Sequence, residues 1–218
     1  MTEGTAAAVG QREQRRRQRR RLGREQLLDA AEEVFGRKGY HDTTLNEVAE
    51  LAEFSVGSVY SFFDGKDDLF SQIFLRRGAQ FMPAIREVLA PAAGAADPLE
   101  QLHRLVDFEV GWFRDHRHFG RLFLRHANAS LLPTRGGQEA AIVANYEEAM
   151  ELQTDLFRRG QSAGVFRPGD PAVLARLFSG IMTAFQALDP AVVSDEPAPA
   201  ERFPLGDLHD LVESTFRA

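Results

Sequence analysis

Apolar residues in this chain return every three or four positions, segment after segment, and almost never alternate. A period near 3.6 buries one stripe of a helix, whereas a half-buried strand needs a period of two. The expected fold is therefore all-α, with helices packed stripe against stripe. A chain of 218 residues, 44% of them apolar, can fill one large domain or two small ones. No internal repeat is found. No run of about 18 apolar residues occurs, so no membrane span is expected. The N-terminus has no apolar core of the length a signal peptide needs. Cysteine is absent. That excludes disulfides, thiolate metal sites and cysteine nucleophiles, and it fits a reducing, cytoplasmic location.

The stripe Leu27, Leu28, Ala31, Val34 and Phe35 sets a first helix over about 24–38, stopped by Gly39. Thr44 and Glu47 then stand at capping-box spacing and open a helix of about two turns. Leu45, Val48, Ala49 and Ala52 form its apolar face. Ser55 suits the N-cap of a further short helix over 56–62. Two short helices separated by three or four residues are a helix-turn-helix candidate. Ala49 is small where the helices must cross, Val59 anchors the second helix, and Phe54 fills the turn. Such a pair lays its second helix in the major groove of double-stranded DNA. The side chains offered there are Ser55, Val56, Gly57, Ser58 and Ser61, with Tyr60 beside them. Small hydroxyls make few bidentate base contacts, while Val56 can meet a thymine methyl.

Lys66, Asp67 and Asp68 open a fourth helix, expected over 66–89 and kinked at Pro83. The acids suit the helix dipole there and the lysine does not. A bound phosphate would reverse that sign, and Thr44 at its own helix start can serve likewise. The alternative for Lys66 is a solvated surface position.

The run LLDAAEEVFGRKGYHDTTLNEVAELAEFSVGSVYSFFDGKDDLF, residues 27–70, resembles the DNA-binding domain of TetR-family transcriptional regulators. The matching features are the Ala-Ala pair and aromatic of the first helix, Gly39-Tyr40, Thr43-Thr44, Val48-Ala49, Ser55, Gly57, Val59-Tyr60, Phe63, Lys66 and Leu69. The resemblance implies phosphate contacts from Thr44, Tyr60 and Lys66, and a major-groove surface at 55–61. It also implies a second, helical domain that binds a small-molecule effector and pairs with a second copy. Two positions depart from the pattern. Glu53 stands where glycine is frequent, and a left-handed backbone there would cost a glutamate about 1 kcal/mol. Phe62 stands where His or Tyr is frequent, which removes a phosphate contact.

Charge is unevenly distributed. Residues 1–24 carry eight arginines against Glu3 and Glu13, a surplus of +6, so the rest of a chain of net charge −6 must carry −12. Residues 1–23 therefore form a basic arm, expected to be disordered because it lacks an apolar stripe. It can neutralise phosphates or hang free in solvent. Residues 24–70 are then the DNA-binding domain, and 71–218 a helical bundle for ligand sensing and dimerisation.

Within that bundle helices are expected near 98–115, 117–127, 138–163 and 171–188. A linker is expected over 91–98, a loop over 189–204, and a last helix with Leu205, Leu208, Leu211, Val212 and Phe216 on one face. Glu109 falls inside the apolar arc of 98–115, and His126 is the polar member of the stripe of 117–127. Both are expected to face an internal pocket as its polar anchors, with Phe108, Trp112 and Phe123 among its walls. The competing expectation is a buried ion pair or a satisfied core histidine. An apolar, aromatic or acyl effector would suit such walls. Helices 138–163 and 171–188 are expected to form the interface of a homodimer reading a palindromic operator.

No HExxH, no three-ligand zinc spacing, no GxGxxG and no P-loop occur, so neither a metal nor a cofactor nor an enzyme activity is expected. The reading is a sequence-specific DNA-binding regulator, a repressor released by a small apolar ligand. Two others compete with it. One is a helical small-molecule-binding protein or enzyme whose helix-turn-helix is not its main function. The other is an interaction protein whose arm recruits RNA or a partner.

Overall fold

The computed structural model describes residues 3–90, 97–126, 138–195 and 204–218. Among these residues ten helices run in order: α1 Glu3–Lys38, α2 Leu45–Leu51, α3 Val56–Phe62, α4 Lys66–Leu89, α5 Pro98–Asp115, α6 Arg117–His126, α7 Gln138–Ser162, α8 Pro171–Leu188, α9 Pro190–Val193 and α10 Leu205–Phe216. Among the described residues the only extended pairing is a single bridge between Phe166 and Arg217. The fold is all-α: an N-terminal three-helix unit followed by a helical bundle.

The helices sort their stripes into two cores. The first gathers Leu27, Ala31 and Phe35 of α1, Val48 and Ala49 of α2, Val59 of α3, and Leu69, Phe70 and Ile73 of α4. Phe119 and Leu122 of α6 pack into it, so the second half of the chain closes the core of the first. The second core joins Met82 and Ile85 of α4 to Leu102, Leu105 and Val106 of α5, Phe157 of α7, Phe178 and Met182 of α8, and Phe216 of α10. Helix α4 belongs to both cores and runs through Pro83 as one element. The proline has no N–H to donate to the helix there.

Three expectations change. The first helix begins at Glu3, not near residue 24, so positions 3–23 of the arm expected to be disordered are helical. Arginine, glutamine, glutamate and alanine are good helix formers, and the segment extends a helix already nucleated by core packing. An apolar stripe shows only where a helix is packed, so the stripe stopped short of the helix. Within the stretch expected as a loop, α9 forms a single turn and buries Val192. Its N-cap Asp189 is 3% exposed, accepting from the Ala191 amide at 3.0 Å and from Arg114 Nε at 2.7 Å. Helix α8, though it interrupts its apolar residues with Arg176, is long and apolar enough by length and composition to cross a bilayer. Its inner residues Leu174, Phe178 and Met182 fill the second core instead. The linker over 91–96 and the loop over 196–203 lie outside the described residues.

Candidate nucleic-acid interface

Helix α2 starts at a complete capping box. Thr44 Oγ1 accepts from the Glu47 amide at 3.3 Å, and the Glu47 carboxylate accepts from the Thr44 amide at 3.0 Å. Lys38 also donates to Glu47, and these bonds, that of Lys38 first, hold the carboxyl down to about 2. Each capping bond satisfies an N–H that the first turn would otherwise leave unpaired. The chain then turns through Ala52, Glu53 and Phe54. Glu53 has φ +60°, the only positive φ outside glycine among the described residues. The left-handed backbone considered at that departure is present, at a cost of about 1 kcal/mol.

Ser55 caps α3, its Oγ accepting from the Ser58 amide at 3.1 Å and lying 2.8 Å from Ser58 Oγ. Ser61 Oγ donates to the Ser58 carbonyl at 2.6 Å. Only Val59 of this helix is fully buried. Ser55, Gly57, Tyr60 and Ser61 are exposed, Tyr60 at 59%, while Val56 and Ser58 are half-buried. Gly57 is the informative position. A methyl group added there would meet nothing closer than Ser55 Oγ at 3.9 Å. Inside a helix a glycine costs about 0.8–1.0 kcal/mol relative to alanine. No packing contact among the described residues requires it, so the open side is what it keeps clear.

Two further groups flank α3. Thr44 is exposed at the start of α2. Lys66 stands at the first position of α4, its Nζ donating to the His41 carbonyl at 3.1 Å and lying 4.5 Å from the centre of the Tyr40 ring. Tyr40 in turn donates its hydroxyl to Asp67. These contacts aim the ammonium group while leaving it N–H donors to spare. Thr44, Ser55, Gly57, Tyr60 and Ser61 are exposed, and Lys66 is half-buried. Arg20 and Arg24 also approach this unit, over Phe62 and Phe63. Sequence reasoning counted both among the arginines of residues 1–24 but missed these contacts, because pairs so far apart in the chain leave no periodic signal.

The expected ligand residues do not converge. Glu109 is 6% exposed in the second core, where Gln153 of α7 donates to its Oε1 at 3.1 Å. Burial pushes its carboxyl up to about 8. The other amide atom, Gln153 Oε1, is buried without a partner among the described residues, as is Trp112 Nε1. Phe108, tilted, and Trp112, edge-on, pack against Phe81 at centroid distances of 5.2 and 5.4 Å. His126 is elsewhere, and the expected pairing with Glu109 is corrected. Its Nδ1 lies 2.7 Å from the Leu122 carbonyl, and its ring packs on Phe70 at 5.1 Å. Phe123 packs on Phe113 and Phe119 at the edge of the first core. A helical stripe shows that a side chain faces a core but not which core. Two surface clefts of about 460 and 450 Å³ open elsewhere, one lined by residues that include Glu32, Arg77 and His118, the other by Arg37 and Glu50 among others; neither includes Glu109.

Comparison with known proteins agrees with this layout. Residues 27–73 match the model of the bacterial regulatory proteins of the tetR family. Residues 95–186 match the tetracyclin repressor-like C-terminal domain. The HTH-type transcriptional regulator YhgD of Bacillus subtilis is 26% identical over 68% of this chain and 74% of its own length. The HTH-type transcriptional repressor NicS of Pseudomonas putida is 25% identical over 66% of each chain. Among solved structures, AibR in complex with isovaleryl coenzyme A and operator DNA superposes with a TM-score of 0.71 at 19% identity, covering 87% of this chain and 97% of that one. With the two models together spanning more than half of the sequence, the chain belongs to the TetR family of bacterial transcriptional regulators.

Proposed function

We propose that this chain is a cytoplasmic, homodimeric repressor that reads a palindromic operator with α3 and releases it when a small, mostly apolar effector binds among α4, α5 and α7. The observation that carries the DNA-reading part is the exposed face of α3, where small hydroxyls surround a glycine that the protein's own packing does not need. A helix stripped to Ser55, Gly57, Ser58 and Ser61 can sit deep in a major groove. Val56 and Tyr60 add apolar contact to that surface. Thr44, Tyr60 and Lys66 supply phosphate contacts that fix register without reading sequence.

The dimer part rests on apolar surface left open on α7 and α8. Tyr146 and Leu177 are each 54% exposed, and Val143 and Val173 more than 40%. An interface core is rich in such residues, whereas a solvated helix face is not. The effector part rests on Glu109, Phe108 and Trp112. The Glu109 carboxyl, pushed up to about 8 by burial, and the atoms Gln153 Oε1 and Trp112 Nε1, without a partner among the described residues, offer polar anchors in an otherwise apolar region. Binding there would bear on α4, the helix common to both cores, and so on the spacing of the two reading heads.

Selection of bound sequences from a random DNA pool tests the proposal. The expected winner is a palindrome, bound far more tightly than scrambled DNA, with Lys66→Ala weakening binding to all sequences alike. No enrichment, with weak salt-driven binding only, would contradict it.

A further inference from the structure

We infer that the arginine-rich extension of α1 is a second DNA-contacting element, lying on the duplex that flanks the operator half-site; this rests on the reading that α3 binds DNA. Helix α1 leaves the body of the protein at Gly23, which is buried. A Cβ there would come within 3.3 Å of Phe54 and 3.4 Å of Phe62, so the helix crosses the turn and the end of α3 at close range. Arg20 donates to the Ser61 carbonyl at 3.4 Å and lies 5.9 Å from the centre of the Phe62 ring. Arg24 lies 5.3 Å from that of Phe63. These interactions set the direction in which the extension departs, beside the same end of α3 whose exposed face carries Ser61.

Every residue from 11 to 22 is exposed, and Arg20 ties the base of this stretch to Ser61 and Phe62. Its charge is uncompensated as well. Arg17 pairs with Glu13 at 2.7 Å, but among the described residues Arg12, Arg15, Arg16, Arg19 and Arg21 form no ion pair. Like charges three and four residues apart on a helix destabilise it, and a polyanion alongside reverses that sign. Beyond Arg24 the chain carries a net −12, which repels nucleic acid. Favourable long-range charge is therefore concentrated on this rod. The twenty residues 3–22 span about 30 Å as a helix, roughly the length of nine base pairs. Duplex DNA beyond the segment read by α3 is the occupant that matches its length, its charge and its point of exit.

The test compares the full chain with the variant Arg12→Gln, Arg15→Gln, Arg16→Gln and Arg19→Gln. Both are titrated with salt on the selected operator, once trimmed to its half-sites and once carrying flanking duplex. The wild-type chain should bind the flanked operator at least about tenfold more tightly than the trimmed one, and the variant should not distinguish them. The slope of log Kobs against log salt should fall by roughly 0.9 for each phosphate that an arginine no longer neutralises, about 3 to 7 for four arginines in one or both subunits of a dimer. The comparison of trimmed with flanked operator in the wild-type chain reads the flank contact independently of folding in the variant. Equal slopes, a wild-type chain indifferent to flanks, or flank dependence that persists in the variant would each overturn the assignment. A wild-type chain that enriches no operator at all would overturn the DNA-reading proposal and this one with it.

Discussion

Glu32 and Glu109 are buried alike, at 4% and 6% exposure, in the two halves of the molecule, and their surroundings are opposite. Glu32 of α1 accepts from two arginines of α4, from Arg76 at 2.7 Å and from Arg77 at 2.8 and 2.9 Å. Glu109 of α5 has one amide, that of Gln153, and no cation within ion-pair distance among the described residues. The first arrangement is a charged strut that ties α1 to α4 in a single geometry. The second is a carboxyl kept neutral by its surroundings, with unused hydrogen-bonding capacity nearby. The half proposed to hold α3 against DNA pairs its buried carboxylate with two arginines and leaves Arg76 Nε alone of that group without a partner among the described residues. The half proposed to receive an effector keeps polar groups in reserve.

That contrast can be broken from either side. The largest effect is expected at the strut. Glu32→Ala removes the one ion-pair partner of Arg77 among the described residues and leaves Arg76 only Asp29 and Glu25, and should cost about 3 kcal/mol in urea denaturation. A loss below about 1 kcal/mol would show that solvent reaches the arginines and that the strut is ornamental. Glu109→Gln should act in the opposite direction. The folded-state pKa of Glu109 is raised to about 8, so the folded chain holds a proton that the unfolded chain has already released above about pH 4.5. The native state therefore loses stability as pH rises from near 4.5 to near 8. The variant should match the wild type at pH 4 and exceed it by a few kcal/mol at pH 8. A stability difference that does not change with pH would mean that Glu109 ionises in the native state.

The joint between the halves is the next place to press. A Cβ on Gly36 of α1 would lie 2.6 Å from the His118 carbonyl oxygen of α6, a backbone atom that cannot simply swing aside. Gly36→Ala should cost about 1–3 kcal/mol by thermal unfolding and push α6 off the first core. An unchanged melting temperature would show that α6 is loosely docked. The smallest effect belongs to the turn. Glu53→Gly relieves the left-handed strain at φ +60° but adds unfolded-state entropy, so a net gain of about 0.5–1 kcal/mol is expected. A loss of stability there would mean that glutamate sits in this turn without strain.

The N-terminal unit was legible in the sequence because its signals are local. Thr44 with Glu47, Ser55 before Val56, and the non-glycine at position 53 each act over three or four residues, and all three appear with the expected geometry. What escaped was tertiary. The extension of α1 carries no stripe because residues 11–22 stay exposed, so periodicity could not reveal it. His126 and Phe123 sit on a true apolar stripe, yet α6 turns that stripe into the first core. The partner of Glu109 is Gln153, a polar residue on a helix whose register against α5 no local pattern encodes. Single-turn α9 is too short to show a period, although Asp189 before Pro190 is a serviceable start signal.

The central claim is that α3 enters DNA, and Gly57 tests it most directly. No described atom outside its immediate neighbours lies closer than 3.9 Å to a Cβ at this position. Gly57→Leu should therefore leave thermal unfolding unchanged or slightly raised, since glycine is the poorer helix former. Operator affinity, measured on the same preparation, should fall by about tenfold to a hundredfold as the side chain holds the helix out of the groove. An equally stable variant that binds the operator as tightly as the wild type would contradict the account.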